Sequence, residues 1–304
     1  MGEAYLNGTW ISESQLKVSV WDIGFIQGVT ISERMRTFGG KLFRLEEHLD
    51  RLAHSAEVVG LTHAIRLPEL AAAAQELATR HHQQLQADDD VGVSLFVTPG
   101  RETTVDTGEP LGPIVAMHAY PLPFRTWHTK YQSGQRLIVS QVQQVPTACW
   151  PAELKCRSRM HYYLADREAR LQDPQARAIL LDADGKVIEA STANLVGYSA
   201  ADGFFSPPRT KILPGVSVAT LESLATQLGI PFVERDLTVD DLLAADELML
   251  SSTSPCLIPV STLNGQPLRV ACPGPGFQQV MRAWSERVGI DIVSQAARFA
   301  NRTR

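Results

Sequence analysis

The chain has 304 residues, 44% hydrophobic and 20% charged, enough to bury one large core or two ordinary ones. Its net charge of −5, with both signs mixed along the chain, excludes a basic stripe for nucleic acid or for an anionic membrane surface. No run approaches the ~18 apolar residues that span a bilayer, and residues 1–15 lack a charged-then-apolar leader, so the sequence predicts a soluble, cytoplasmic protein acting on small molecules.

The opening AYLNGTWI sets Asn7-Gly8 between two short apolar runs and predicts a hairpin. In LEEHLDRLAHSAEVVGL, Leu45, Leu49, Leu52 and Ala56 recur at helical spacing before Gly60. A second helix is predicted over 68–85, which starts on a proline and is rich in helix formers. The polar run HHQQLQADDD at 81–90 is expected to end that helix in an exposed loop. Residues 91–98 and 113–120 read as strands, so residues 1–120 form a small α/β domain. Two prolines and a polar end mark 121–134 as an interdomain linker. The larger domain, 135–304, is predicted to be α/β around an antiparallel, barrel-like sheet. Its strands lie in 136–145, 177–190, 194–208 and 245–265, with turns at Asp184-Gly185 and Asp202-Gly203. Its helices fall at 159–172, 215–228 and 276–288. Cys149, Cys156, Cys256 and Cys272 are scattered without paired spacing; they are expected to be reduced thiols, with neither disulfide framework nor metal site.

Five places can carry chemistry, each with a plainer reading beside it. Lys155 lies at the edge of an apolar segment, where desolvation favours the unprotonated amine that a Schiff base needs; most lysines are simply solvated. Pro214-Gly215 opens a helix whose first turn, Val216 and Ser217, offers free N–H groups to an anion, or is an ordinary capped turn. Ser252 and Thr253 end an apolar strand as a second anion contact or a polar loop. Arg51 adds a permanent cation or a solvated helix charge. Glu189 follows an apolar strand, where its carboxylate can hold a pyridine nitrogen protonated or merely face water.

The order HLDRL, LK before a helix, DGKVIEASTANL, ILPGVS and a strand ending in SST resembles the class IV pyridoxal-phosphate enzymes, from about residue 4 to beyond 265. That family holds branched-chain aminotransferases, D-amino-acid aminotransferases and 4-amino-4-deoxychorismate lyases. The resemblance implies a two-domain fold of type IV with pyridoxal 5'-phosphate between the domains, and a homodimer whose partner helps close each site. It implies Lys155 as the Schiff-base lysine and Glu189 at the pyridine nitrogen. Arg51, Val216, Ser217, Ser252 and Thr253 would hold the phosphate, and Asn194 matches the asparagine of the family's glutamate-to-asparagine motif.

The departures bear on substrate. Ser32 stands before Glu33 where family members commonly carry an aromatic, and Ser94 falls near the strand arginine of branched-chain enzymes. Met160 replaces their tyrosine five residues after the lysine, while Arg159 is similar to the lyases. Expected, then, is a ping-pong transaminase taking an amino group from an amino acid or amine to a 2-oxo acid, with poor activity on leucine, isoleucine and valine. The rivals are a lyase releasing pyruvate and a non-catalytic pyridoxal-phosphate-binding protein.

Overall fold

In the computed structural model, which describes residues 2–101, 104 and 112–302, Asn7 and Gly8 take φ of 46° and 87°. This left-handed pair, which Asn and Gly tolerate best, joins β1 (Glu3–Leu6) to β2 (Thr9–Ser12) as an antiparallel hairpin. Then follow α1 (Ile23–Ile26), β3 (Ile31–Phe38), β4 (Lys41–Leu42), α2 (Leu45–Val58), α3 (Leu67–His82), β5 (Val91–Thr98) and β6 (Ile114–Pro121). The six strands pair in the order β2-β1-β6-β5-β3-β4, antiparallel throughout.

The two long helices cover one face of this sheet. Leu49, Leu52 and Ala56 of α2 and Leu70, Ala73, Ala74, Leu77 and Ala78 of α3 pack with Ile31, Met35, Val93 and Leu95 in one core. Each fully buried Leu or Ile there contributes roughly 1.5–3 kcal/mol.

The polar run at 81–90 is not simply an exposed loop. Asp89 and Asp90 are buried, and Asp90 accepts from the Thr37 hydroxyl at 2.6 Å and from the Gly40 and Gly39 N–H groups at 3.2 and 3.3 Å. It satisfies the donors of the β3–β4 turn, a long-range role that a charge run does not announce.

The chain divides into two units, Met1–Leu122 with Leu154–Ser158, and Pro123–Glu153 with Arg159–Arg304. The predicted linker 121–134 differs from a plain connection. Past Leu122 it holds a short 3₁₀ turn and α4 (Lys130–Ser133), with Phe124, Trp127 and Tyr131 buried. Lys155, expected in the second domain, belongs to the first unit, because its segment pairs with β3.

The second unit continues with β7 (Gln135–Val139), α5 (Met160–Gln172), β8 (Ala176–Leu181), β9 (Val187–Ala190), β10 (Asn194–Ser199) and β11 (Gly203–Ser206). After these come α6 (Val216–Gln227), β12 (Phe232–Glu234), α7 (Val239–Ala244), β13 (Glu247–Ser252), β14 (Cys256–Leu263), β15 (Gln266–Pro267), α8 (Pro275–Val288) and α9 (Ile292–Arg298). The sheet runs β12-β11-β10-β13-β14-β7-β8-β9, with β15 beside β14. The β11–β12, β14–β7 and β7–β8 pairs are parallel and the others antiparallel.

A three-residue turn joins β9 at one end of this order directly to β10, with Ala190 and Ala193 exchanging N–H···O bonds of 3.0 and 3.2 Å. The sheet therefore curls into a half-barrel. Thr192 in the turn has φ of 61°, and Arg177 donates to Ser191 O and Thr192 Oγ1. The turn thus fixes the residues on either side of it, Glu189 and Asn194.

Candidate active site

In the first unit the site grows from strand alternation. Ile31 and Met35 of β3 point into the core beneath α2 and α3, so Glu33 between them meets the same side. There it finds α2. Arg51 donates to Glu33 through Nε and Nη2, both at 2.8 Å, and His48 donates through Nδ1 at 2.7 Å. All three side chains are buried.

Burial alone would raise the Glu33 carboxyl, but the charge and hydrogen bonds of Arg51, with those of His48, outweigh it and hold the group well below the usual carboxylate range. Burial lowers the His48 pKa; Glu33 opposes this, and the charges of Arg51 and Lys155 add to it.

Lys155 sits in a short extended segment beside β3. Its carbonyl accepts from Ser32 N at 2.9 Å, Arg157 N donates to Thr30 O at 2.8 Å, and Ile31 and Cys156 form the bridge between them. Lys155 N donates to Ser55 Oγ of α2 at 3.2 Å, and Leu154 packs on the core. The lysine backbone is thus fixed to both a strand and a helix, the helix that carries Arg51.

In the second unit Glu189 is buried at the end of β9. Its Oε1 accepts from the Tyr162 hydroxyl and from Gln144 Nε2 at 3.0 Å, and its Oε2 from Asn194 Nδ2 at 3.3 Å. Burial, and next the charge of Glu189, push Tyr162 well above the ordinary phenol value, so it is a neutral donor.

Asn194 links this carboxylate to α6. Its Nδ2 also donates to Leu213 O at 2.9 Å, and a Cβ on Gly215 would lie 2.1 Å from its Oδ1. Gly215 is the helix N-cap and supplies no side-chain cap, so the first N–H groups of Val216 and Ser217 keep their free hydrogens for an anion. Asn194 is paired with Ser251 across β10–β13, which brings the end of β13, Ser252 and Thr253, alongside. Gln144 Oε1 and Ser251 Oγ, buried beside these groups, have no hydrogen-bond partner among the described residues.

The structure thus gathers Lys155 and Arg51 in one unit and Glu189, Val216, Ser217, Ser252 and Thr253 in the other. Of the tentative substrate residues, Ser32 and Ser94 are buried on the face of β3–β5 opposite Glu33. Ser32 pairs with Phe96, so an aromatic stands across from the position that lacks one. Ser94 Oγ accepts from Arg157 Nη2 at 2.9 Å. Arg159 is instead the residue before α5, in the second unit.

Sequence reasoning missed Tyr162 and Gln144. Met160 is 69% exposed and the phenol comes from two residues further on, which spacing from the lysine does not reveal. It missed the Glu33–His48–Arg51 cluster as well, although His48 and Arg51 at i and i+3 on one helix face were visible. Among the described residues no group of His, Cys, Asp or Glu is placed to hold a metal ion.

The family model for amino-transferase class IV matches residues 30–263, and the chain belongs to that family. A D-alanine aminotransferase of Bacillus licheniformis is 28% identical over 278 residues, 91% of this chain and 94% of the relative. The crystal structure of a branched-chain aminotransferase from Thermoproteus uzoniensis, with norvaline, matches at TM-score 0.81 and 26% identity over 95% of each chain. The branched-chain amino acid aminotransferase of Escherichia coli matches at TM-score 0.84 and 23% identity over 94% of each. The fold is that of the type IV aminotransferases. No helix among the described residues is long and apolar enough to cross a membrane.

Proposed function

We propose that the protein is a ping-pong transaminase that moves an amino group from an amino acid or amine to a 2-oxo acid, with pyridoxal 5'-phosphate held covalently by Lys155. The observation that carries this reading is Asn194, which ties the buried Glu189 carboxylate to the Leu213 carbonyl just ahead of the start of α6. An aromatic nitrogen base and a phosphate are the two ends of one small molecule that such a pair fits. The unpartnered Gln144 Oε1 and Ser251 Oγ agree with a site that receives a polar group.

When bound, the cofactor supplies an aldehyde and an electron-withdrawing ring. Lys155 Nζ would hold the group covalently and would be the base that moves the proton at the donor's α-carbon. Glu189, which accepts from Tyr162, Gln144 and Asn194, would face the ring nitrogen and hold its proton there. The N–H groups of Val216 and Ser217 and the hydroxyls of Ser252 and Thr253 would be contacts for the phosphate, and Arg51 would offer it a permanent cation. The Glu33 pair holds the Arg51 guanidinium in place for this.

We read the working form as a cytoplasmic homodimer, a second copy covering the apolar residues Val18, Val20, Trp21, Phe25 and Ile26 that the single chain exposes.

One other reading has a feature in its favour: Arg159, four residues after Lys155, suits a lyase of the aminodeoxychorismate type. A panel of L-amino acids, D-amino acids and amines, offered separately to the yellow holoenzyme, tests the proposal. A donor that bleaches the chromophore, and a 2-oxo acid that restores it, are expected. Pyruvate released with no acceptor added would establish the lyase instead.

A further inference from the structure

The helix α5 grips the Glu189 turn at two points, and only one of them is the carboxylate. Ala165 and Ala169 of α5 pack with Ala176, Ala178 and Leu180 of β8 in one buried cluster. Such short side chains let the helix lie close on the strand, within reach of a side chain as short as aspartate. Glu189 pairs with Leu180 across β8–β9, so it stands on the face that α5 covers. β7 and β8 are parallel and β9 is antiparallel to β8; α5, the crossover from β7 to β8, therefore runs in the direction of β9.

Four residues of a helix rise about 6 Å, and two residues of a strand about 6.6 Å. Tyr162 and Asp166, one turn apart on α5, thus match Glu189 and Ser191, two apart at the end of β9. Tyr162 donates to the Glu189 carboxylate. Asp166 Oδ1 accepts from Ser191 Oγ at 2.7 Å and from Ala178 N at 3.0 Å, and its Oδ2 accepts from Arg170 Nη2 at 3.3 Å. Ser191 is buried, and its own N–H donates to Ala178 O at 3.1 Å. One carboxylate oxygen therefore locks the turn and β8 to the same point on the helix. Tyr162 holds an oxygen of Glu189; Asp166 holds the backbone that carries it.

We propose that Asp166 is a positioning residue of the active site: by holding Ser191 against α5 it sets where the Glu189 carboxylate meets the ring nitrogen of the cofactor. The inference rests on the aminotransferase reading and on Glu189 as the residue that faces that nitrogen.

The test uses holoenzyme loaded with cofactor isotopically labelled at its ring nitrogen. The nitrogen resonance is recorded by NMR, cofactor affinity is measured by equilibrium dialysis, and kcat and KM are determined for the best amino donor. Asp166→Ala is expected to move the resonance toward its position in Glu189→Gln and to weaken cofactor binding about three- to tenfold, the range that one lost hydrogen bond gives. It should lower kcat by roughly ten- to a hundredfold, the effect of a misplaced group, with the donor's KM within about twofold of wild type. Asp166→Asn keeps the Oδ1 acceptor for both bonds and should restore the wild-type resonance. Ser191→Ala should reproduce the shift, and the double variant should show no more than either single one. Should Asp166→Ala not fold, Ser191→Ala carries the same decision. Asp173→Asn frees the end of α5 from Arg136, a bond of 3.1 Å away from the turn, and should leave the resonance in place whatever it does to stability. A wild-type resonance in Asp166→Ala or Ser191→Ala, additive shifts in the double variant, or an equal shift in Asp173→Asn would each overturn the proposal. Glu189→Gln separates the two levels. If it moves the resonance and Asp166→Ala does not, Asp166 alone is refuted; if it does not, the reading beneath falls and this inference with it.

Discussion

Replacing Glu33 with Gln takes the charge out of a buried ion pair while leaving the side chain nearly the same size. Its carboxylate accepts two bonds of 2.8 Å from Arg51 and one of 2.7 Å from His48, in a place that excludes water. The amide keeps one acceptor oxygen and turns an N–H₂ toward a donor, taking the Glu33 charge away from a buried guanidinium. Breaking such a pair from one side costs about 3–5 kcal/mol, a large part of the ~5–15 kcal/mol that a folded domain has.

Urea unfolding at neutral pH should show the midpoint lowered by about that free energy with an unchanged slope. Adding Arg51→Met to the variant should recover part of the loss, since the buried cation that faced Glu33 is then gone. Acidification gives a second signature. The lowered His48 pKa means its stabilising term is present above the ordinary 6.5 and is lost as pH falls below it. The depressed Glu33 pKa means its contribution is present above the ordinary 4.5 and is lost as pH falls below that. Wild-type stability should therefore fall in two stages, and Glu33→Gln should lack the lower one. A loss under about 1 kcal/mol, with strictly additive effects in the double variant, would refute the argument that this pair is a coupled, desolvated unit.

Glu189→Gln should slow the half-reaction on the order of a hundredfold, because an amide does not hold the ring nitrogen protonated, while cofactor affinity changes little; near wild-type stopped-flow rates would mean another group faces the nitrogen. Gly215→Ala should weaken cofactor binding in equilibrium dialysis by at least about tenfold, because the new Cβ, 2.1 Å from Asn194 Oδ1, must displace the link between Glu189 and α6; undiminished affinity would show that the link is dispensable. Leucine, isoleucine and valine should be poorer donors than the best of the panel by about ten- to two-hundredfold, the value of a lost pocket wall at Ser32, and a highest specificity constant for one of them would reverse that expectation.

Much of this was legible in the sequence because it is written locally. The Asn7-Gly8 turn, the apolar spacing of α2 and the Pro-Gly start of α6 each follow from neighbouring residues, and the predicted helices lie within a few residues of the observed α2, α3, α5, α6 and α8. What was illegible is non-local. Nothing near Lys155 says that its backbone pairs with Ser32 and Thr30 some 120 residues away. Nothing near Asp90 says that it serves the turn at Gly39 and Gly40. Tyr162 was hidden for another reason: helix pitch decides which of several residues after the lysine reaches Glu189, and that depends on where α5 begins, the least certain feature of any sequence reading.

The most direct test of the central claim is borohydride reduction of the holoenzyme, followed by proteolysis and mass mapping of the peptide that carries the reduced cofactor. The account predicts a single pyridoxyl tag on the peptide containing Lys155 and none in Lys155→Ala, which should still bind some cofactor noncovalently through its phosphate and ring contacts. A tag on any other lysine, or no tag at all on a yellow enzyme, would contradict it.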